Sequence, residues 1–186
     1  MKGFVAALVL LLVAGCSAGK DAVATGSEFV FVSPGGKTDI VYDGSDRKPI
    51  PDLSGESLLE AGKQIRVSDF SGKIVVLNIW GSWCPPCRVE ASELQKIQDS
   101  GTQVLGIDVR DPQRSAPQDF VRDRKLTYPS IYDPPIKTLL ALKGYPRATV
   151  PSTIVLDRQH RVAAVYLRDL LATDLQPLLQ RLTAES

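Results

Sequence analysis

From residue 51 onward, apolar positions alternate between two rhythms. A turn at 51–55 leads into a hairpin whose second strand is 64–67, followed by a polar turn at 68–73. Residues 74–79 (IVVLNI) form a nearly continuous β-branched run, the pattern of a central strand buried on both faces. The rhythm then becomes helical: Val89, Leu94 and Ile97 recur with charged residues between them. This helix starts at Cys84-Pro85-Pro86-Cys87, where a first turn tolerates proline, and ends near Ser100-Gly101. Residues 103–109 read as a second buried strand, parallel to the first. After a turn-like stretch, 117–125 predicts a short helix with Phe120 and Val121 facing inward. Residues 128–132 lead to a turn at Asp133-Pro134-Pro135, and 136–142 has helical spacing ended by Lys143-Gly144. Residues 152–157 and 161–167 form an antiparallel hairpin around a turn at 158–160. Residues 170–182 are apolar every three or four positions and predict a last helix, with Pro177 arguing against an uninterrupted one. The sum is an α/β domain: a mixed sheet with helices on both faces.

The N-terminus follows another logic. Met1-Lys2 is a short basic start, and residues 4–13 (FVAALVLLLV) are apolar. A bilayer needs about 20 apolar residues, so this run fits the hydrophobic part of an export signal. Val13-Ala14-Gly15-Cys16 follows and resembles the bacterial lipobox, in which the cysteine is lipid-modified and becomes N-terminal after cleavage. A plain secretory signal with a bystander cysteine is the alternative. The expected organisation is a signal at 1–15, a lipid-anchored tether at 16–49 and one folded domain at 50–186. A short apolar patch at 28–32 is a candidate strand laid on the domain edge. An acyl anchor, with about 0.8 kcal/mol per buried CH₂, would hold the domain on the outer face of the plasma membrane.

Composition adds little to this and excludes some classes. The chain is 44% hydrophobic and 23% charged with a formal net charge of +1, so nothing points to nucleic acid. The three cysteines are Cys16, Cys84 and Cys87. An odd count in an exported protein needs an explanation, and lipidation of Cys16 supplies it.

Cys84 and Cys87 allow three readings. A structural zinc site needs four ligands, but the chain has no second cysteine pair and a single histidine, His160, in a hairpin turn. An inert disulfide over so short a loop would stabilise little through chain entropy. A redox pair accounts for the position at a helix start. There the macrodipole and free backbone N–H groups favour thiolate. On this reading Cys84 is exposed and nucleophilic, and Cys87, one turn along and more buried, resolves the mixed disulfide.

The stretch Val75-Val76-Leu77-Asn78-Ile79-Trp80-Gly81-Ser82-Trp83-Cys84-Pro85-Pro86-Cys87-Arg88-Val89-Glu90 resembles the thioredoxin superfamily, most closely the ResA/TlpA/CcmG branch of membrane-anchored extracytoplasmic thioredoxins. The likeness spans roughly 50–183. It implies a thioredoxin fold: a central mixed sheet flanked by helices, with an N-terminal hairpin and an insertion at about 112–128. It also implies that Glu90 lies near the thiols, where a carboxylate raises their pKa values and can shuttle protons. Asn78 stands where cytoplasmic thioredoxins carry a buried aspartate. Val150-Pro151 matches the cis-proline loop, whose backbone pairs with an extended substrate. Trp83 is expected beside the active site, Trp80 in the core and His160 in solvent.

The resemblance implies a protein-disulfide reductase acting on apocytochrome c and re-reduced by an integral-membrane thiol carrier of the CcdA/DsbD type, with no cofactor or metal. One alternative is an oxidant that installs disulfides in exported proteins. Another is a non-catalytic metal- or protein-binding module. A peroxidase is disfavoured, because peroxiredoxins carry Thr or Ser where this chain has Gly81.

Overall fold

The computed structural model describes residues 28–185. The expectations of an export signal at 1–15 and of a lipidated Cys16 therefore fall outside the described residues. The strands are β1 (Asp39–Val41), β2 (Ser54–Glu56), β3 (Gln64–Arg66), β4 (Val75–Trp80), β5 (Gln103–Asp108), β6 (Ser130–Tyr132), β7 (Ser152–Leu156) and β8 (Val162–Tyr166). The helices are α1 (Pro85–Asp99), α2 (Ser115–Asp123) and α3 (Ala172–Ala184). Six strands form one sheet in the order β1-β8-β7-β4-β5-β6. β4, β5 and β6 run parallel, and β7, β8 and β1 continue the sheet antiparallel. β4 lies in the middle and every residue of it is buried, as its β-branched run predicts.

Two apolar layers sandwich the sheet. One packs Val76, Trp80 and Val104 against Leu94 and Ile97 of α1, Phe120 of α2, and Leu175 and Leu178 of α3. The other packs Val75, Leu77, Ile79, Leu105 and Ile107 against Phe29, Phe31, Leu53, Ile65, Leu139 and Tyr145. The hairpin β2–β3 sits on the β6 edge, where Leu58 N–H donates to Ser130 O at 2.8 Å. Gly55 makes the approach possible, since a Cβ there would lie 2.4 Å from Ile131 Cγ2. Arg114 at the start of α2 donates to the carbonyls of Ser57 and Leu58 and pairs with Glu56, so the insertion is fastened to the hairpin.

Three expectations change. Residues 28–49, read as tether apart from a candidate edge strand at 28–32, belong to the fold, and Val30 of that patch does bridge to Lys143. Phe29 and Phe31 are buried, Phe29 N–H donates to Pro49 O, and β1 pairs with β8. Their apolar positions are few and set among turn residues, so no period shows. Residues 136–142 make only a 3₁₀ turn, Thr138–Ala141. Ile136 has φ 60°, and the buried pair Leu139 and Leu142 is spaced three apart, which fits a 3₁₀ period as well as an α one. α3 runs through Pro177, because the carbonyl this proline leaves unbonded belongs to Thr173 on the exposed side.

A half-buried clasp ties the segment between β1 and β2 to the residue after α3. The Arg47 guanidinium donates to both carboxylate oxygens of Glu185 and lies 3.5 Å from Asp157.

Candidate active site

β4 delivers the chain to the site and α1 begins it. Cys84 is the N-cap of α1, Pro85 and Pro86 occupy its first positions, and Cys87 N–H points at Cys84 Sγ at 3.3 Å. Cys84 and Cys87 form a disulfide. Both sulfurs are covered: Cys84 is only 1% exposed, against the expectation of an exposed nucleophile. In the oxidised state it belongs to the helix-side core with Trp80 and Cys87, and half-buried Val150 and Tyr132 pack on that cluster. Trp83, 45% exposed, flanks the pair, and its indole N–H donates to Val109 O at 2.9 Å. The Val150–Pro151 peptide is cis, as expected.

Glu90 lies one turn past Cys87, so the two share a face of α1. It is 1% exposed, whereas its apolar neighbour Val89 is 64% exposed. The sequence period had placed Val89 on the inward face; the carboxyl takes that place instead. Asn78 Nδ2 donates to one Glu90 oxygen at 3.2 Å and to Thr153 Oγ1 at 3.1 Å, and Leu170 N–H donates to the other oxygen at 3.1 Å. Burial pushes the Glu90 carboxyl up to about 8, although these two donors pull it down. Glu90 therefore carries a proton at neutral pH in this oxidised state.

A second acid was not singled out in the sequence. Asp108, at the end of β5, is fully buried; burial and the neighbouring Asp111 carboxyl push it up to about 9. Neither of its oxygens has a hydrogen-bond donor among the described residues. Asp111 accepts from Ser82 N–H and Ser82 Oγ, both at 2.7 Å, and so grips the loop that leads to Cys84. The available signal was an acid inside an otherwise apolar strand run. His160, expected in solvent, is half-buried and its ring nitrogen lies 3.2 Å from Phe70 O.

A sheet running β4–α1–β5 with a two-cysteine pair at the helix start, facing a cis-proline loop, defines a thioredoxin-fold thiol–disulfide oxidoreductase. The chain belongs to the AhpC/TSA family, whose model matches residues 47–165. It is 30% identical over 142 residues to the thiol:disulfide interchange protein DsbE of Pseudomonas aeruginosa, covering 74% of this chain and 77% of that one. It is 27% identical to the thiol-disulfide oxidoreductase ResA of Geobacillus thermodenitrificans over 64% of this chain and 68% of the relative. Among solved structures, a secreted thiol-disulfide isomerase from Corynebacterium glutamicum superimposes with a TM-score of 0.83 and 49% identity, covering 86% of this chain and all of that one. A DsbF homologue from Corynebacterium diphtheriae superimposes with a TM-score of 0.79 and 48% identity, covering 83% and 99%.

Proposed function

We propose that the protein is a lipid-anchored, extracytoplasmic reductant of a protein disulfide, with apocytochrome c as its substrate class and an integral-membrane thiol carrier as its electron source. The observation that carries the chemistry is the Cys84–Cys87 pair at a helix N-terminus with a buried carboxyl one turn away. In the reduced protein the Cys84 thiolate attacks a substrate sulfur, forming a mixed disulfide and releasing the other substrate sulfur as thiolate. Cys87 then loses its proton and attacks Cys84 Sγ, which frees the second substrate thiol. Glu90 receives the Cys87 proton, consistent with its preference for the protonated form beside the disulfide. Re-reduction reverses the path. Trp83 and the Val150–Pro151 loop form the docking rim, with the Val150 backbone pairing with an extended substrate.

The DsbE and ResA relatives support this reading, and the secreted relative supports an extracytoplasmic location. Gly81 argues against a peroxidase, since a Cβ there would lie 2.4 Å from the Trp83 indole nitrogen and leaves no room for a hydroxyl side chain. The deciding measurement is the reduction potential of the Cys84/Cys87 pair by equilibration with a dithiol buffer. A value near roughly −270 mV is expected for a reductant, and one near roughly −120 mV would make the protein a disulfide donor instead. For the anchor, Cys16→Ala is expected to release the protein from membranes, and equal retention would reject lipidation.

A further inference from the structure

The N-terminal segment ahead of β1 touches the loop that carries Val150 and Pro151 through a short chain of contacts. Val30 bridges to Lys143 in parallel register, and Phe31 N–H donates to Lys143 O at 2.9 Å. The Phe31 ring meets Tyr145 edge-on, with centroids 5.6 Å apart and planes at 72°. Between these contacts stands Gly144, with φ 75°; a Cβ there would lie 2.6 Å from Phe31 O. Two independent constraints therefore require glycine, the left-handed backbone and the close passage of a second strand. The buried Tyr145 hydroxyl donates to Ser152 Oγ at 2.8 Å, and Ser152 Oγ donates to Thr149 O at 2.9 Å. These last two bonds bracket Val150 and Pro151 on both sides. Val150 packs on both apolar layers, including the one that holds Cys84 and Cys87.

We propose that Phe31, Gly144, Tyr145 and Ser152 are positioning residues for substrate: the N-terminal segment braces the Val150–Pro151 loop in the form that pairs with an extended polypeptide. The inference rests on the reading of that loop as the substrate-docking rim. Ordering a loop before binding removes an entropic cost from association. A brace of this kind favours substrates with a backbone to pair and is indifferent to small disulfides that have none. It also makes the root of the proposed tether part of the substrate site.

The test uses the full-length chain, purified in detergent and reduced at Cys84 and Cys87. It is mixed with two oxidants: a synthetic peptide disulfide of Cys-Xaa-Xaa-Cys-His sequence, and hydroxyethyl disulfide. In each reaction the protein dithiol becomes the disulfide as the oxidant becomes two thiols. Phe31→Ala is expected to lower the rate constant with the peptide by roughly five- to ten-fold while leaving that with hydroxyethyl disulfide within about two-fold. Gly144→Ala and Tyr145→Phe are expected to shift the ratio the same way, and Phe31→Leu, which keeps an apolar plug, to restore most of it. Leu182→Ala, a core truncation in α3, controls for lost stability and is expected to leave the ratio unchanged. If Phe31→Ala and Tyr145→Phe keep the wild-type ratio, or Leu182→Ala shifts it equally, the brace is overturned. If the wild-type protein reduces hydroxyethyl disulfide but not the peptide, the substrate reading itself fails and the brace with it.

Discussion

On the face of the central sheet turned away from the long helices, β4 and β5 present Val75, Leu77, Ile79, Leu105 and Ile107, all buried and all apolar. On the helix side the same two strands present Val76, Asn78, Trp80, Val104, Gly106 and Asp108, equally buried. Register lines up a polar row there: Thr153 beside Asn78, then Gly106, then Ser130, with Glu90 reaching down from α1 onto Asn78. The two faces exclude water alike, so burial does not mark the site. What separates them is that one face spends core positions on groups able to hold protons. Such groups destabilise a fold unless partnered, and Glu90, which caps the row, stands one turn past Cys87 on α1.

Core truncation on the apolar face gives the largest expected effect. Leu77→Ala removes a fully buried side chain and is expected to lower unfolding stability by about 2–5 kcal/mol in urea titrations, leaving the pH dependence of disulfide exchange unaltered. A changed pH profile would break the separation between the faces.

Replacing the two buried acids sharpens it. The folded-state pKa of Glu90 is raised from 4.5 to about 8, so its contribution is most favourable below pH 4.5, declines as pH rises through this window and is constant above about 8. Glu90→Gln removes the proton uptake. Stability close to wild type is expected at pH 4, and a gain of about 1–3 kcal/mol at pH 8, with exchange slowed because the proton acceptor is gone. An unchanged stability difference across that range would mean Glu90 is not buried as described. Asp108→Asn follows the same sign over a window from 3.8 to about 9, and its gain is expected to be smaller, about 1 kcal/mol at neutral pH, because the amide put in its place stays as short of hydrogen-bond partners as the carboxyl was. The smallest effect belongs to Val89→Ser. On the exposed side of α1 it is expected to alter stability by less than about 0.5 kcal/mol, whereas the sequence period alone predicts a core loss.

That last pair shows where sequence reading stops. The central strand, the parallel β4–α1–β5 unit, the β7–β8 hairpin and the cysteine pair at a helix start were legible because local period and local motif agree on them. Val89 and Glu90 were not, since a helix with two prolines in its first turn and few apolar positions leaves the direction of its buried stripe open by one residue. Only tertiary partners, Asn78 and Leu170 N–H, select the glutamate. The contribution of 33–49, beyond the apolar patch at 28–32, was hidden for a related reason: a strand of three residues carries no period, and what holds it is pairing to β8. Asp108 was overlooked as a residue because the run around it reads as a strand whether or not one member is acidic.

The Arg47 clasp has a consequence for how damage travels along the chain. A guanidinium with almost no solvent contact shares its charge between Asp157 and the Glu185 carboxylate. Glu185→Gln would leave that cation short of anions in a dry setting. The fragility would surface far along the chain from the change, as earlier fraying of β1 and faster cleavage near residues 39–49.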